Sequence, residues 1–213
     1  MRIGNGGIQL EDVEVSVSTD SNSATILFLS EGKATDRTLS YSAEYFHAPS
    51  RLQMTFFGMS EKAFITLKEK LSVMKAVRDI YRVQSVGEKD ITFVIVLNGL
   101  YNYELMEFSH PGSLTLNFYQ DAYYTEEERK PGETIYFLKT NILDYEITLK
   151  ENLVKYEAEN PAQIKKREGE YQIVIGEYST REEAEAAYDK MLKKYGSKTE
   201  LYIDNVKVED IPE

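Results

Sequence analysis

The sequence predicts a multidomain chain: an all-β sandwich with an internal two-fold repeat, then an α+β domain of order βαββαβ, an antiparallel sheet with two helices on one face. Three observations lead there. Over the first 120 residues, β-branched and aromatic residues alternate with polar ones between Gly, Asn, Ser and Pro breaks, which is the period of half-buried strands. The segment "EYFHAPSRLQMTFF" (44–57) aligns with "MEFSHPGSLTLNFY" (106–119) at an offset of 62. A charged stretch ending in Pro-Gly, "DAYYTEEERKPGE" (121–133), has the composition of a boundary. The expected limits are 8–121 for the sandwich, 122–132 for a linker, 133–206 for the α+β domain and 207–213 for a tail.

The strands of the first domain are expected at "VEVSVS" (13–18), "ATILFLS" (24–30), "TLSYSAEYF" (38–46), "RLQMTFF" (51–57), "ITFVIVLN" (91–98), "YNYELMEF" (101–108) and "SLTLNFY" (113–119). Residues 61–83 read two ways. Phe64, Thr66 and Lys68 alternate against Ile65 and Leu67 as in a strand, while Leu67, Leu71, Met74, Val77 and Tyr81 keep helical spacing. The echo sets Phe46 on Phe108, Pro49 on Pro111, Leu52 on Leu114, Met54 on Leu116 and Phe56 on Phe118. Upstream, "ATILFLS" matches "ITFVIVLN" at an offset of 67, so the first copy has a connection longer by 67 − 62 = 5 residues. One pair of hairpins cannot bury its own apolar face, whereas two related sheets packed together can.

In the second domain "TIYFLKT" (134–140) reads as a strand. Ile142, Tyr145, Leu149, Leu153 and Tyr156 then share a helical face, with Asn141 as cap and Pro161 beyond the end; "DYEITL" within it also fits a strand. "AQIKKRE" is a weak strand and "EYQIVIGEY" (170–178) a strong one. Thr180 and Glu183 form a capping box opening a helix whose stripe runs through Ala184, Ala187, Tyr188, Met191, Leu192 and Tyr195 to Gly196. "TELYIDNV" closes the domain as a strand.

Composition narrows the function. Of 213 residues, 42% are hydrophobic and 29% charged, which excludes a disordered chain, and runs such as "ITFVIVL" are too short for a membrane-spanning helix. Twenty-five basic against 36 acidic side chains give a net charge of -11, and neither half is basic, which argues against a nucleic-acid partner. Lys165, Lys166 and Arg167 sit among Glu159, Glu168 and Glu170 and read as a solvated loop. The absence of cysteine removes disulfides, thiolate nucleophiles and thiolate metal sites. His47 and His110 each precede a hairpin proline, and no third ligand accompanies them. With no GxSxG, HExxH or glycine-rich phosphate loop, the chain is expected to be no enzyme and to carry no cofactor or metal. The start "MRIGNGGIQL" lacks the apolar core of a secretory signal.

Binding chemistry has more support. Sixteen tyrosines and no tryptophan offer rings with an apolar face and a hydrogen-bonding hydroxyl, which suits sugars. If Tyr171, Ile173 and Ile175 pack under the helices, parity puts Gln172 and Val174 on the open face, joined by Tyr202 because Leu201 and Ile203 look inward.

"YQIVIGEYSTREEAEAAYDKMLKKYGSKTELYI" (171–203) resembles the second half of a SPOR domain, a small peptidoglycan-binding module. The resemblance implies that the sheet face bearing Gln172, Val174 and Tyr202 binds glycan strands stripped of their peptides. "VMKAVRDIYRVQSVGEKDITFVIVLNGLYNYELMEFSHPGSLTLNFYQD" (73–121) is similar to the AMIN domain, an internally symmetric β-sandwich found beside cell-wall amidases and in envelope secretion proteins. Its Pro-x-Arg-Leu signature stands as Pro49, Ser50, Arg51 and Leu52, with Pro111 and Asn117 at matching places in the second copy and Thr55 and Asn117 where an acid is usual. Together the resemblances imply an extracytoplasmic envelope protein, its leader or anchor outside this chain, that binds peptidoglycan or another cell-wall polysaccharide. The alternative is an envelope scaffold that pairs exposed strand edges with protein partners.

Overall fold

The alternating patterns outside residues 61–71 become antiparallel strands. The computed structural model describes residues 12–18, 20–47, 50–84, 90–120, 132–144, 148–167, 169–196 and 199–208, and divides the chain into two compact units, 1–128 and 129–213. In the first, strands β1 (Asp12–Ser18), β2 (Ser23–Ser30), β9 (Ser113–Tyr119) and β8 (Asn102–Phe108) form one sheet in that order, with β3 (Lys33–Ala34) against β2. Strands β4 (Tyr41–His47), β5 (Ser50–Phe57), β7 (Asp90–Leu97) and β6 (Val77–Arg82) form the other.

The sequence echo maps β2 onto β7, β4 onto β8 and β5 onto β9, chain order then sets β1 against β6, and under that mapping the two strand orders are identical. The copies are therefore woven together: β2 of the first pairs with β9 of the second, and β7 of the second with β5 of the first. At the two junctions the same contact recurs. Thr25 and Thr115 hydroxyls meet at 3.0 Å across β2 and β9, and Thr92 and Thr55 at 2.9 Å across β7 and β5. Thr55 to Thr115 is an offset of 60, so the register has slid two residues from the sequence alignment; an even slip leaves every side chain on its original face.

Both sheets turn one face to a shared core. Phe56 lies at its centre, 5.9 Å from Phe28, 5.9 Å from Tyr41 and 6.0 Å from Phe93 between ring centroids. The unit is not all-β. Residues 61–83 hold one helix, α1 (Glu61–Leu71), over the part whose alternation also fitted a strand, while Val77 and Tyr81, spaced as for a helix, lie in strand β6. Ser60 caps α1 by accepting from the Ala63 amide at 3.1 Å, and Ala63, Phe64, Leu67 and Leu71 enter the core. Lys62 pairs with Asp12 of β1 at 2.5 Å and Glu61 with Arg82 of β6, so α1 closes the side where those end strands face each other. Tyrosines join the other two end strands, β4 and β8. Tyr45 stacks on Tyr103 at 5.6 Å and donates to the Tyr101 carbonyl at 2.6 Å, and Tyr41 hydrogen-bonds Glu107.

In the second unit β12 (Ala162–Arg167), β13 (Glu170–Tyr178), β10 (Thr134–Thr140) and β14 (Leu201–Lys207) pair antiparallel in that order, and the short β11 (Leu143–Asp144) pairs with β13 beyond the end of β10. Helix α2 (Thr148–Lys155), a 3₁₀ turn (Glu157–Glu159) and helix α3 (Arg181–Tyr195) complete it. The helix expected from Asn141 begins only at Thr148, because Leu143 is drawn into the sheet opposite Tyr171 and Ile142 is exposed. The capping box of Thr180 and Glu183 is present; Leu192, placed on the buried stripe by its spacing, is exposed instead. Gly176, at φ +72°, sits at a bulge between the Leu138–Ile175 and Tyr136–Tyr178 pairs, and the Tyr178 ring lies where a β-carbon on Gly176 would be. The ends of the two helices meet. Tyr156 packs edge-on to Tyr195 at 5.1 Å, and Glu159 accepts from Lys194 at 2.5 Å and from the Tyr195 hydroxyl at 3.0 Å, contacts that hold its carboxyl below the usual range.

Candidate functional site

The face expected to bind glycan is assembled but covered. Register puts Val174, Lys139 and Tyr202 in one row of the second unit's sheet, and the Gln172 amide donates to the Thr140 carbonyl at 3.0 Å, with the Tyr202 hydroxyl at 3.5 Å. Tyr202 is 38% exposed, with the Lys139 ammonium 5.3 Å from its ring centroid and paired with Asp204. Gln172 and Val174 are only 7% and 3% exposed, which corrects the open-face expectation. Their neighbours in this face, Ile135, Phe137, Ala162 and Ile164, are buried too. The reason was visible in "YQIVI": a strand buried on both faces reads as a nearly continuous apolar run rather than an alternating one.

The signature residues are spread through the first unit. Leu52 is fully buried in the core between Tyr45 and Ile95. Its neighbour Arg51 points to the opposite face of the same sheet, buried, its guanidinium 4.3 Å over the Phe46 ring. Pro111 follows a cis peptide in the turn between β8 and β9, and Pro49 lies outside the described residues. Asn117 belongs to a different surface, the outer face of the β1-β2-β9-β8 sheet.

That outer face has the character sought on the other unit. Because Val13, Val15, Ala24, Ile26, Leu114, Leu116 and Phe118 point inward, the alternate positions must point out. Register lines them up in rows across four strands. Ser18, Ser23, Asn117 and Glu104 make one row, and Ser16, Thr25, Thr115 and Met106 the next, with Thr115 and its neighbour Ser113 on the central strand buried. Within the first row, Ser23 Oγ donates to Asn117 Oδ1 at 2.5 Å, and Asn117 Nδ2 donates to Glu104 Oε2 at 3.3 Å. Two aromatic rings bracket these rows: Tyr119, 46% exposed and opposite Asn102, and Phe108, 50% exposed and opposite Ser113. Six residues of strand, about 20 Å, separate the Tyr119–Asn102 pair from the Ser113–Phe108 pair.

Hydroxyl, amide and carboxylate groups on a pleated plane offer donors and acceptors at regular spacing, while the rings offer apolar surface at either end. Sequence reasoning reached Asn117 alone, through the resemblance. The signal for the rest was the outward phase of Ser16, Ser18, Ser23 and Thr25, which a solvated face would share. His47 packs edge-on to Tyr45 at 5.0 Å, and His110 sits in the β8–β9 turn. Among the described residues no cluster of three or more His, Asp or Glu is placed to hold a metal ion, and no helix is long and apolar enough to cross a membrane. No model of a known protein family matches the chain, and no curated protein matches it in sequence.

Proposed function

We propose that the chain is a non-catalytic saccharide-binding protein of the bacterial cell envelope, which holds peptidoglycan glycan or another cell-wall polysaccharide on the outer face of the β1-β2-β9-β8 sheet. One observation carries this reading: the Ser23–Asn117–Glu104 hydrogen-bonded row lies between two half-exposed rings, Tyr119 and Phe108. Vicinal hydroxyls of a sugar pair with amide and carboxylate groups, and the C–H face of the ring stacks on an aromatic side chain. In this reading the first unit is an AMIN-like sandwich and the second a SPOR-like module whose accessible contribution is Tyr202, and the protein works outside the cytoplasm. No cofactor or catalytic residue takes part.

The test is co-sedimentation of the chain with purified peptidoglycan, before and after amidase treatment. The wild type is expected in the pellet, and the double variant Phe108→Ala, Tyr119→Ala is expected to bind about tenfold more weakly, two aromatic contacts of roughly 0.5–1.5 kcal/mol each having been removed. Absence of the wild type from both pellets removes the saccharide claim. A scaffold is the second reading, and one observation favours it: among the described residues β4 ends its sheet and pairs only with β5, an edge to which a partner strand can add.

A further inference from the structure

We propose that this face selects neutral polysaccharide over acidic polysaccharide and that Glu104, in the central polar row, is the residue that discriminates. The inference rests on the saccharide reading above and adds the ligand's charge class to it: glycan stripped by amidase, which bares a lactyl carboxylate on each muramic acid, is expected to bind more weakly than neutral polysaccharide. Of the outward-pointing positions on β1, β2, β8 and β9, the charged ones are Asp12, Glu14 and Glu104, and none is Lys or Arg. The ammonium of Lys62 reaches only the corner of the face, where it is paired with Asp12 at 2.5 Å.

Among the described residues, the outward strand positions give a uronate, sulfate or phosphate group laid on this surface no cation to neutralise it. The Glu104 carboxylate, held beside Asn117 by a 3.3 Å hydrogen bond, can accept from a sugar hydroxyl and has no proton to give to an anionic oxygen. A hydroxyl-to-carboxylate bond is roughly twice as strong as a neutral one, so the same group that strengthens a neutral ligand repels an acidic one. One like charge placed about 4 Å away in water weakens binding roughly fivefold.

The experiment titrates the full chain with a neutral N-acetylglucosamine oligomer and with polygalacturonate at low salt, for the wild type and Glu104→Gln. The substitution keeps the shape and can still accept from Asn117, and the position is exposed. The wild type is expected to bind the neutral oligomer at least roughly tenfold more tightly, from two or more like charges meeting the face. Glu104→Gln is expected to narrow that gap roughly fivefold, and added salt to narrow it as well. Equal binding of both polymers by the wild type, or a gap unchanged in Glu104→Gln, overturns the inference and leaves the saccharide reading standing. Binding of neither polymer overturns both.

Discussion

The two sheets of the first unit have the same strand order, the same threonine contact at their junction and a common core, yet their outer faces are opposites. On the β1-β2-β9-β8 sheet the outward residues include Ser, Thr and Asn, the acids Asp12, Glu14 and Glu104, and two exposed rings, with only Ser113 and Thr115 of the central strand β9 buried among its polar groups. On the β4-β5-β7-β6 sheet, Arg51, Tyr81, Val94 and Val96 point outward and are buried. Leu27 and Val94, equivalent at the offset of 67, show the divergence most directly: Leu27 is half-buried and Val94 has no exposure. The comparison teaches that a repeated strand pattern constrains the inward parity, where one core serves both copies, and leaves the outward parity free to take separate roles.

The largest expected effect breaks this equivalence. Val94→Asp buries an unpaired carboxylate and is expected to destabilise the protein by about 3 kcal/mol or more, whereas Leu27→Asp costs less than about 1 kcal/mol; urea unfolding of the two variants measures the difference. Gly112 and Ser50 are equivalent turn positions at the offset of 62. A β-carbon on Gly112 collides with the Arg37 backbone, because the longer crossover of the first copy packs there, with the Gly112 amide bonded to the Thr35 carbonyl at 2.6 Å. Gly112→Ala is expected to cost about 1–3 kcal/mol. Ser50→Ala should be neutral or slightly stabilising, since the Ser50 hydroxyl is buried without a hydrogen-bond partner. Equal losses at both positions would contradict the asymmetry.

Smaller effects sharpen the likeness. Thr25→Val and Thr92→Val each remove one junction contact and are each expected to cost about 0.2–1 kcal/mol, equally within error. The tyrosine-joined side gives a pH signature. Burial, and then the Glu107 carboxylate, push the Tyr41 hydroxyl well above its ordinary value; burial, and then Glu44, push its repeat partner Tyr103 up. The unfolded chain ionises these tyrosines near about pH 10, before the folded one does. Their stabilisation is therefore complete below about pH 10 and is lost as pH rises above it, toward the raised folded values. Tyr41→Phe is expected to flatten the alkaline fall in urea midpoint, and a fall identical to that of the wild type would exclude Tyr41 as its source.

The hairpin echo was legible in sequence because Leu52, Met54 and Phe56 keep phase with Leu114, Leu116 and Phe118, all of which lie in the core. An alignment shows that two segments are alike and not which sheet each one joins, so the weaving of the copies was out of reach. Residues 61–83 stayed ambiguous because Leu67 and Leu71 fit both periods; the Ser60 cap was the deciding local signal. The early helix start failed because Ile142 and Leu149 happen to share a helical face although Leu143 pairs with Tyr171. The site was least legible. Ser23, Glu104 and Tyr119 come from strands far apart in the chain, and outward polar residues look alike in sequence whether they face bulk water or a ligand.

Woven sheets also set what half of this unit can be. A chain carrying one copy alone exposes the inner edge of β2 and the inner edge of its hairpin, and the strand that satisfies each belongs to another copy. Two such half-chains have the pieces to complete each other as a symmetric pair. Joining them through α1 replaces an encounter between molecules by closure at an effective concentration of the order of millimolar, so the tandem arrangement makes folding independent of how much protein is present.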